Sequence, residues 1–360
     1  MPVNAPTSTR THGHRVAVIG AGVAGLACAS TLAAQGRAVT VFDRGLRLGG
    51  RLSARRVSLG DETIACADHG APFFTCTQAL FRRHVQRWIE DGICAVWNPD
   101  RQVLSNGQLN RELAPEPLLV GVPDMRSITN HLATRVDVRA GTTVTSIDRT
   151  PDGWSLCIEA RDGAAVASGL FELVVMAAMP QQTARVFGEH SAKILQEIGN
   201  STAQPCWAHT VLLMGRIPEL PSVLRVLGDN VIELIVRDDA KPGRHLHNDV
   251  SILVAYARAD WSASEYDAPP AAVGRAMADR LLGLLRSLTS RDLEVSKFSP
   301  AAAHRWGLAR SSSFTSCECA VDEALGLVAC GDGFGGSGLE AAFLSGLAAA
   351  AAVFSFEREL

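Results

Sequence analysis

The chain has 360 residues, of which 47% are hydrophobic, and a formal net charge of −3. That length can bury a large core and suggests two lobes, while the near-neutral balance without basic runs excludes nucleic acid and anionic membranes as expected partners. Nine cysteines without a spaced disulfide or metal framework, and no positive-then-apolar leader, point to a reducing cytoplasm and to no metal.

Residues 1–14 read as a disordered tail. The apolar run Val16–Ile19 then reaches a turn with Gly20, Gly22 and Gly25, an Ala/Leu-rich helical segment, and a second apolar strand that ends at Asp43. This is G-x-G-x-x-G in strand–turn–helix–strand context with an acid about 20 residues on, the pattern of dinucleotide binding. Gly20 permits the tight turn, Gly22 admits a pyrophosphate, and Gly25 lets helix and strand pack. The helix N-terminus offers unpaired N–H groups to phosphate, and Asp43 accepts from ribose hydroxyls.

Arg47-Leu48-Gly49-Gly50-Arg51 follows, where the glycines allow close passage of a ligand and Arg51 can fork onto phosphate. R-x-G-G-R after the acid resembles the flavin-binding half of the glutathione-reductase and amine-oxidase group, which turns the expected nucleotide from NAD to FAD. Asp68-His69-Gly70-Ala71-Pro72-Phe73-Phe74 suits a strand under a flat ring, with His69 read as a satisfied, partly buried imidazole rather than a catalyst. Residues 78–91 show helical spacing through Leu80, Phe81, Val85, Trp88 and Ile89. Asp124 is the expected N-cap of a helix to about Arg135.

Short strands are expected at 136–140, 142–148, 154–159 and 170–178. The β-rich stretch 203–256 predicts an antiparallel sheet, 270–288 an amphipathic helix, and 294–300 another strand leading to His304-Arg305-Trp306. Near the C-terminus a strand ends at Cys330, Gly331-Asp332-Gly333 follows, and a Gly-rich loop opens an apolar helix near Gly338-Leu339. The run 339–356 is long enough for a membrane span, but Glu340, Ser345 and its Ala content favour a buried domain helix. Asp332 can bind ribityl hydroxyls, and the helix dipole can stabilise reduced flavin.

These segments together resemble the renalase-like branch of the FAD-dependent amine-oxidase superfamily over nearly the whole chain from residue 15. The matches that carry it are Ala67-Asp68-His69-Gly70-Ala71, Gly121-Val122-Pro123-Asp124-Met125, Lys241-Pro242-Gly243-Arg244, His304-Arg305-Trp306 and Leu339–Gly346, beside the shared glycine turns. The resemblance implies a two-lobe α/β (α+β) fold like p-hydroxybenzoate hydroxylase: a Rossmann-type FAD-binding domain (15–75, 120–202 and 301–360) and an antiparallel-sheet substrate domain (76–119 and 203–300). It implies noncovalent FAD held by Gly20, Gly22, Ala24, Gly25, Asp43, Arg44, Gly49, Gly50, Arg51, Ala71, Pro72, Phe73, Val144, Asp332, Gly338 and Leu339. It also implies oxidation of 2- and 6-dihydro isomers of NAD(P)H, with O2 reduced to hydrogen peroxide.

The expected catalytic-side residues are Phe73 and Trp306 as ring walls and Asp238 as a polar pocket group, with Arg244 a phosphate partner and no general base. Three positions depart from the family pattern: Pro72-Phe73 replaces Gln-Tyr, Gly307-Leu308 replaces Arg and an aromatic or His, and Asp238 replaces Asn. They leave open amine or other C–H oxidation on the same scaffold, and a flavin-bearing protein without catalysis. Lys297 is the one lysine placed to serve an amine oxidase.

Overall fold

The computed structural model describes residues 15–59, 64–112, 116–159, 165–199, 201–244, 250–289 and 291–356. The tail expected at 1–14 lies outside them. Among the described residues the helices are α1 (Val23–Ala34), α2 (Ala79–Glu90), α3 (Arg126–Leu132), α4 (Pro180–Phe187), α5 (Ala192–Ile198), α6 (Ala259–Ser264), α7 (Pro270–Thr289) and α8 (Gly338–Ser355).

Arg15–Ile19 is the hub of a six-stranded sheet. It pairs in parallel with Ala38–Asp43 on one side and Leu173–Ala177 on the other. Asp137–Ala140 and Leu327–Cys330 extend the sheet in parallel, and Ala320–Asp322 closes one edge antiparallel. Val16, Ala17 and Val18 are fully buried, as a parallel strand covered on both faces requires. One face carries α1 and α8, whose Ala-rich surfaces allow near approach. A Cβ at Gly346 of α8 would overlap the Ala24 carbonyl oxygen of α1. Helix α8 is apolar and long enough to cross a membrane, yet half of it is buried inside this fold. On the other face lies the antiparallel meander Thr143–Thr150, Gly153–Glu159 and Ala165–Ala167.

The second large sheet has seven strands, in the spatial order His304–Ser311, Ala203–Met214, Val250–Ala257, Ile232–Arg237, Val223–Val226, Arg101–Ser105 and Gln108–Arg111. All pairs are antiparallel except Arg101–Ser105 with Val223–Val226. Helix α7 packs Val273, Met277, Leu281, Leu284 and Leu285 onto it, the face that the sequence periodicity predicts. A further apolar cluster joins the two sheets, running from Phe343 of α8 through Phe81 and Trp88 of α2 to Ile252 and Val254.

Four local expectations change. His304–Ser311 belongs to the seven-stranded sheet, past the boundary placed at residue 301. Cys94–Trp97 pairs with Leu118–Gly121, straddling the boundary placed at 119/120. The segment 294–300 makes a single bridge, Val295 to Leu213, because the Ser296 and Ser299 hydroxyls take backbone N–H groups and turn the chain. Helix α3 ends at Leu132, short of the expected Arg135, while Asp124 does the capping expected of it, its carbonyl accepting the Ser127 N–H (3.0 Å). The Asp124 carboxylate accepts from the Arg126 N–H (2.9 Å) and is forked by its guanidinium.

Candidate active site

The glycine turn divides into sealed and open positions. Gly20 has φ +112°, and a Cβ there would overlap the Ala177 carbonyl oxygen. A Cβ at Gly25 would overlap the Gly20 carbonyl oxygen. A Cβ at Gly22 would meet nothing within 4 Å, although its extended backbone would tolerate a side chain. Gly20 and Gly25 therefore serve packing, and Gly22 leaves space on the ligand side. Helix α1 starts there with no side-chain cap and no acid in its first turn, so its N–H groups and dipole stay available to an anion. Ala24 is buried at the crossing with α8.

Asp43 ties the turn to the end of its strand, accepting from the Ala21 N–H (2.6 Å) and the Gly45 N–H (2.7 Å). Each carboxylate oxygen keeps a lone pair for a ribose hydroxyl. Arg44 is exposed beside it. Gly49 and Gly50 have φ +120° and +51°, and Gly49 N–H donates to the Ala21 carbonyl (3.1 Å), which brings the loop against the glycine turn.

At the other end of the chain, the Asp332 carboxylate pairs with Arg51 and accepts the Gly338 N–H (2.9 Å) at the start of α8. Arg51 also donates to the Ala309 carbonyl (3.2 Å). Gly338 has open space where a Cβ would stand, while Leu339 is buried. A cradle with open glycines at both helix starts, a forked cation and a ribose acceptor fits a dinucleotide. Val144, expected near an adenine, is buried at a bulge in the meander.

Between these ends runs the segment 68–74. Gly70 presses on Arg51: a Cβ would overlap the Arg51 carbonyl oxygen, and that oxygen accepts the Ala71 N–H (2.7 Å). Trp306 donates its indole N–H to the His69 carbonyl (2.8 Å), and its ring stacks on His69 (centroids 5.6 Å) and meets His304 edge-on (4.4 Å). Phe73 tilts against Trp97 at 6.3 Å. Burial, with His304 and Arg55 nearby, pushes His69 down to about 3, so its imidazole is neutral at pH 7. Burial and Arg55 likewise push His209 down to about 4 and lower His304. His69 Nδ1 is buried without a hydrogen-bond partner. Gly307, where the family pattern has Arg, faces the Tyr266 hydroxyl, 2.7 Å from where a Cβ would stand.

Directly behind this segment is a buried layer of charge. Asp68, Asp238 and Lys241 have fully buried side chains and Arg244 is 5% exposed. Lys241 reaches both carboxylates (2.7 Å to Asp68), as does Arg244 (3.2 Å to Asp238). Asp68 also accepts the Met125 N–H (3.0 Å), and the Asp68 carbonyl accepts the Tyr256 hydroxyl (2.7 Å). Burial alone would raise Asp238, but Lys241 and Arg244 outweigh it and hold that carboxyl below its usual range. Asp238 is thus a structural anion, not the polar pocket group the sequence suggests, and Arg244 is spent on this layer and on the Gly121 and Pro123 carbonyls rather than on a substrate phosphate. Lys297 is exposed, its ammonium 5.1 Å from the Phe298 ring. Sequence reasoning missed the role of Asp68, Lys241 and Tyr256. The signal was Lys241, one of only three lysines in the chain and set in a run otherwise β-rich.

Residues 18–88 match the model of the NAD(P)-binding Rossmann-like domain family. Over that stretch the fold is Rossmann-like. The chain is also similar in sequence to the glutamate synthase [NADH] of Saccharomyces cerevisiae, 37% identical over 95 residues, which span 26% of this chain and only 4% of that enzyme. Solved structures share the fold of almost the whole chain at low identity. A putative protoporphyrinogen oxidase from Exiguobacterium sp. superposes with a TM-score of 0.67 at 13% identity, covering 96% of this chain and 99% of that one. An oxidoreductase from Methanosarcina mazei gives 0.61 at 14%, over 93% and 99%. Putrescine oxidase bound to putrescine gives 0.63 at 12%, over 95% and 99%. The architecture is one that oxidoreductases use.

Proposed function

We propose that this protein is a cytoplasmic FAD-dependent oxidase of renalase type, converting 2- and 6-dihydro isomers of NAD(P)H to NAD(P)+. The overall balance is NAD(P)H + H+ + O2 → NAD(P)+ + H2O2. Bound noncovalently, FAD would supply the hydride acceptor and a route for the electron pair to O2. In this reading the open face of Gly22 and the start of α1 hold the pyrophosphate, Asp43 the adenosine ribose, and Arg51 with Asp332 the ribityl side. The 15–75 segment with the strands of the six-stranded sheet forms the cofactor lobe, and the seven-stranded sheet forms the substrate lobe.

The observation that carries the reading is the contrast between wall and layer. The wall of His69, His304 and Trp306 presents neutral rings, while the charges of Asp68, Asp238, Lys241 and Arg244 neutralise one another behind it. A dihydropyridine gains aromaticity as it loses hydride and needs alignment in a dry site rather than a general base. Trp306, Phe73 and neutral His69 exclude water and align the ring, and the motif matches of the sequence favour the renalase branch.

The test is anaerobic mixing of the purified yellow protein with borohydride-reduced NAD+, which contains the 2-, 4- and 6-dihydro isomers. Rapid, stoichiometric loss of the flavin band and peroxide on adding air is the expected result. An unchanged spectrum in protein whose flavin dithionite still reduces would overturn it. Amine oxidation is the second reading, favoured by the fold shared with putrescine oxidase. Bleaching by putrescine or another amine, in place of the nucleotide isomers, would establish that reading instead.

A further inference from the structure

A cleft of about 430 Å3 lies on the far side of the loop that follows Asp43, between that loop and α3. Arg47, Arg56, Arg126 and Asn130 line it over an apolar floor that includes Leu48 and Val138. None of the residues assigned above to the dinucleotide lines it. Its electrostatics are unbalanced. Arg126, 8% exposed, is neutralised by the Asp124 fork (2.7 and 3.2 Å). Arg47 and Arg56 bond to no group among the described residues. Among the described residues, three arginines thus line one cleft, and the one carboxylate that pairs with any of them, Asp124, is already satisfied by Arg126.

Like charges held together oppose folding unless an anion offsets them. Guanidinium forks match the oxygens of phosphate, and two unpaired forks match a dianion better than a single carboxylate. The cleft is several times larger than a bare phosphate and lies within the usual range for small-molecule sites. Its apolar floor and the Asn130 amide, both donor and acceptor, suit a flat organic body with a polar edge.

We propose that this cleft binds a phosphomonoester of a small, flat organic molecule, of the nucleoside monophosphate class, at a site separate from the dinucleotide. Arg47 and Arg56 take the phosphate dianion, Arg126, already answered by Asp124, stiffens the α3 wall, and Leu48 and Val138 cover the body. Occupancy would brace the loop after Asp43 against α3.

The experiment uses the protein as purified with its flavin, so that AMP cannot enter an empty dinucleotide site. AMP, inorganic phosphate and adenosine are titrated calorimetrically at low ionic strength, into wild type and into an Arg47→Gln/Arg56→Gln variant. Both arginines are exposed and neither is among the residues assigned to the flavin, so the variant should fold, and its flavin content is measured beside the titration. AMP is expected to bind wild type, phosphate to compete with it, adenosine to give no heat, and the variant to bind AMP at least about tenfold more weakly. Equal AMP binding by both proteins, no binding of AMP, or binding of phosphate without preference for AMP would overturn the proposal. So would loss of flavin from the variant, which would return the arginines to the dinucleotide.

Discussion

Arg51 and Asp332, separated by 281 residues of sequence, form an ion pair in which the second Asp332 oxygen caps α8 through the Gly338 N–H. One carboxylate thereby joins the loop after the glycine turn to the start of the last helix, the two places where a dinucleotide would be gripped. Asp332→Asn should weaken FAD binding about 10–100-fold, the scale of a lost charge-assisted hydrogen bond. The ratio of flavin to protein absorbance after dialysis measures it. Retention of full flavin would show that the pair serves folding alone.

The glycines of the turn should separate by consequence. Gly25→Ala forces a Cβ into the Gly20 carbonyl and should cost about 1–3 kcal/mol of stability. Gly22→Ala meets open space and should change stability by less than about 0.5 kcal/mol while lowering flavin content. Thermal melts of the apo variants, read beside their flavin content, decide it. Equal loss of stability in the two would contradict the division.

The buried charge layer should be intolerant of single removal. Lys241→Met leaves Asp68 and Asp238 with Arg244 alone and should destabilise by about 3–5 kcal/mol, read from the urea midpoint. Adding Asp238→Asn to that variant should recover part of the loss, because it removes the unmatched charge. If the double variant is less stable than Lys241→Met, the two residues are not acting as a pair.

Acid should destabilise the fold earlier than carboxylates alone would cause. His69 and His209 are held near 3 and 4, below the ordinary value of about 6.5, so below pH 6.5 the unfolded chain binds the extra protons. Their contribution is complete above 6.5 and is lost as pH falls toward 4, at about 1.4 kcal/mol per pH unit for each imidazole. His209→Gln should flatten the stability profile over that window. An unchanged slope would place the sensitivity elsewhere.

The parallel sheet and its ligand turn were legible because each part of the pattern is local: an apolar run, glycines at fixed offsets, an acid at the next strand end. Helix α7 was legible for the same reason, through its 3.6-residue spacing. Asp238 was misread because nothing local shows that Lys241 and Arg244, a few residues on, fold back onto it and onto Asp68. The edge strand His304–Ser311 was missed because its burial pattern alternates weakly, and its place is set by pairing with Ala203–Met214 almost 100 residues earlier. Of the exposed arginines of the cleft beside α3, Arg47 opens the R-x-G-G-R motif, but Arg56 carries no motif and nothing local links the two. Their convergence exists only once α3 stands beside the loop after Asp43.

The close crossing of α8 on α1 at Gly346 and Ala24 carries a consequence for biosynthesis. In synthesis the glycine turn precedes the helix that closes on it by about 300 residues. Until α8 docks, the apolar flank of α1 has no cover, so fixing the turn against its crossing partner is a late step of folding.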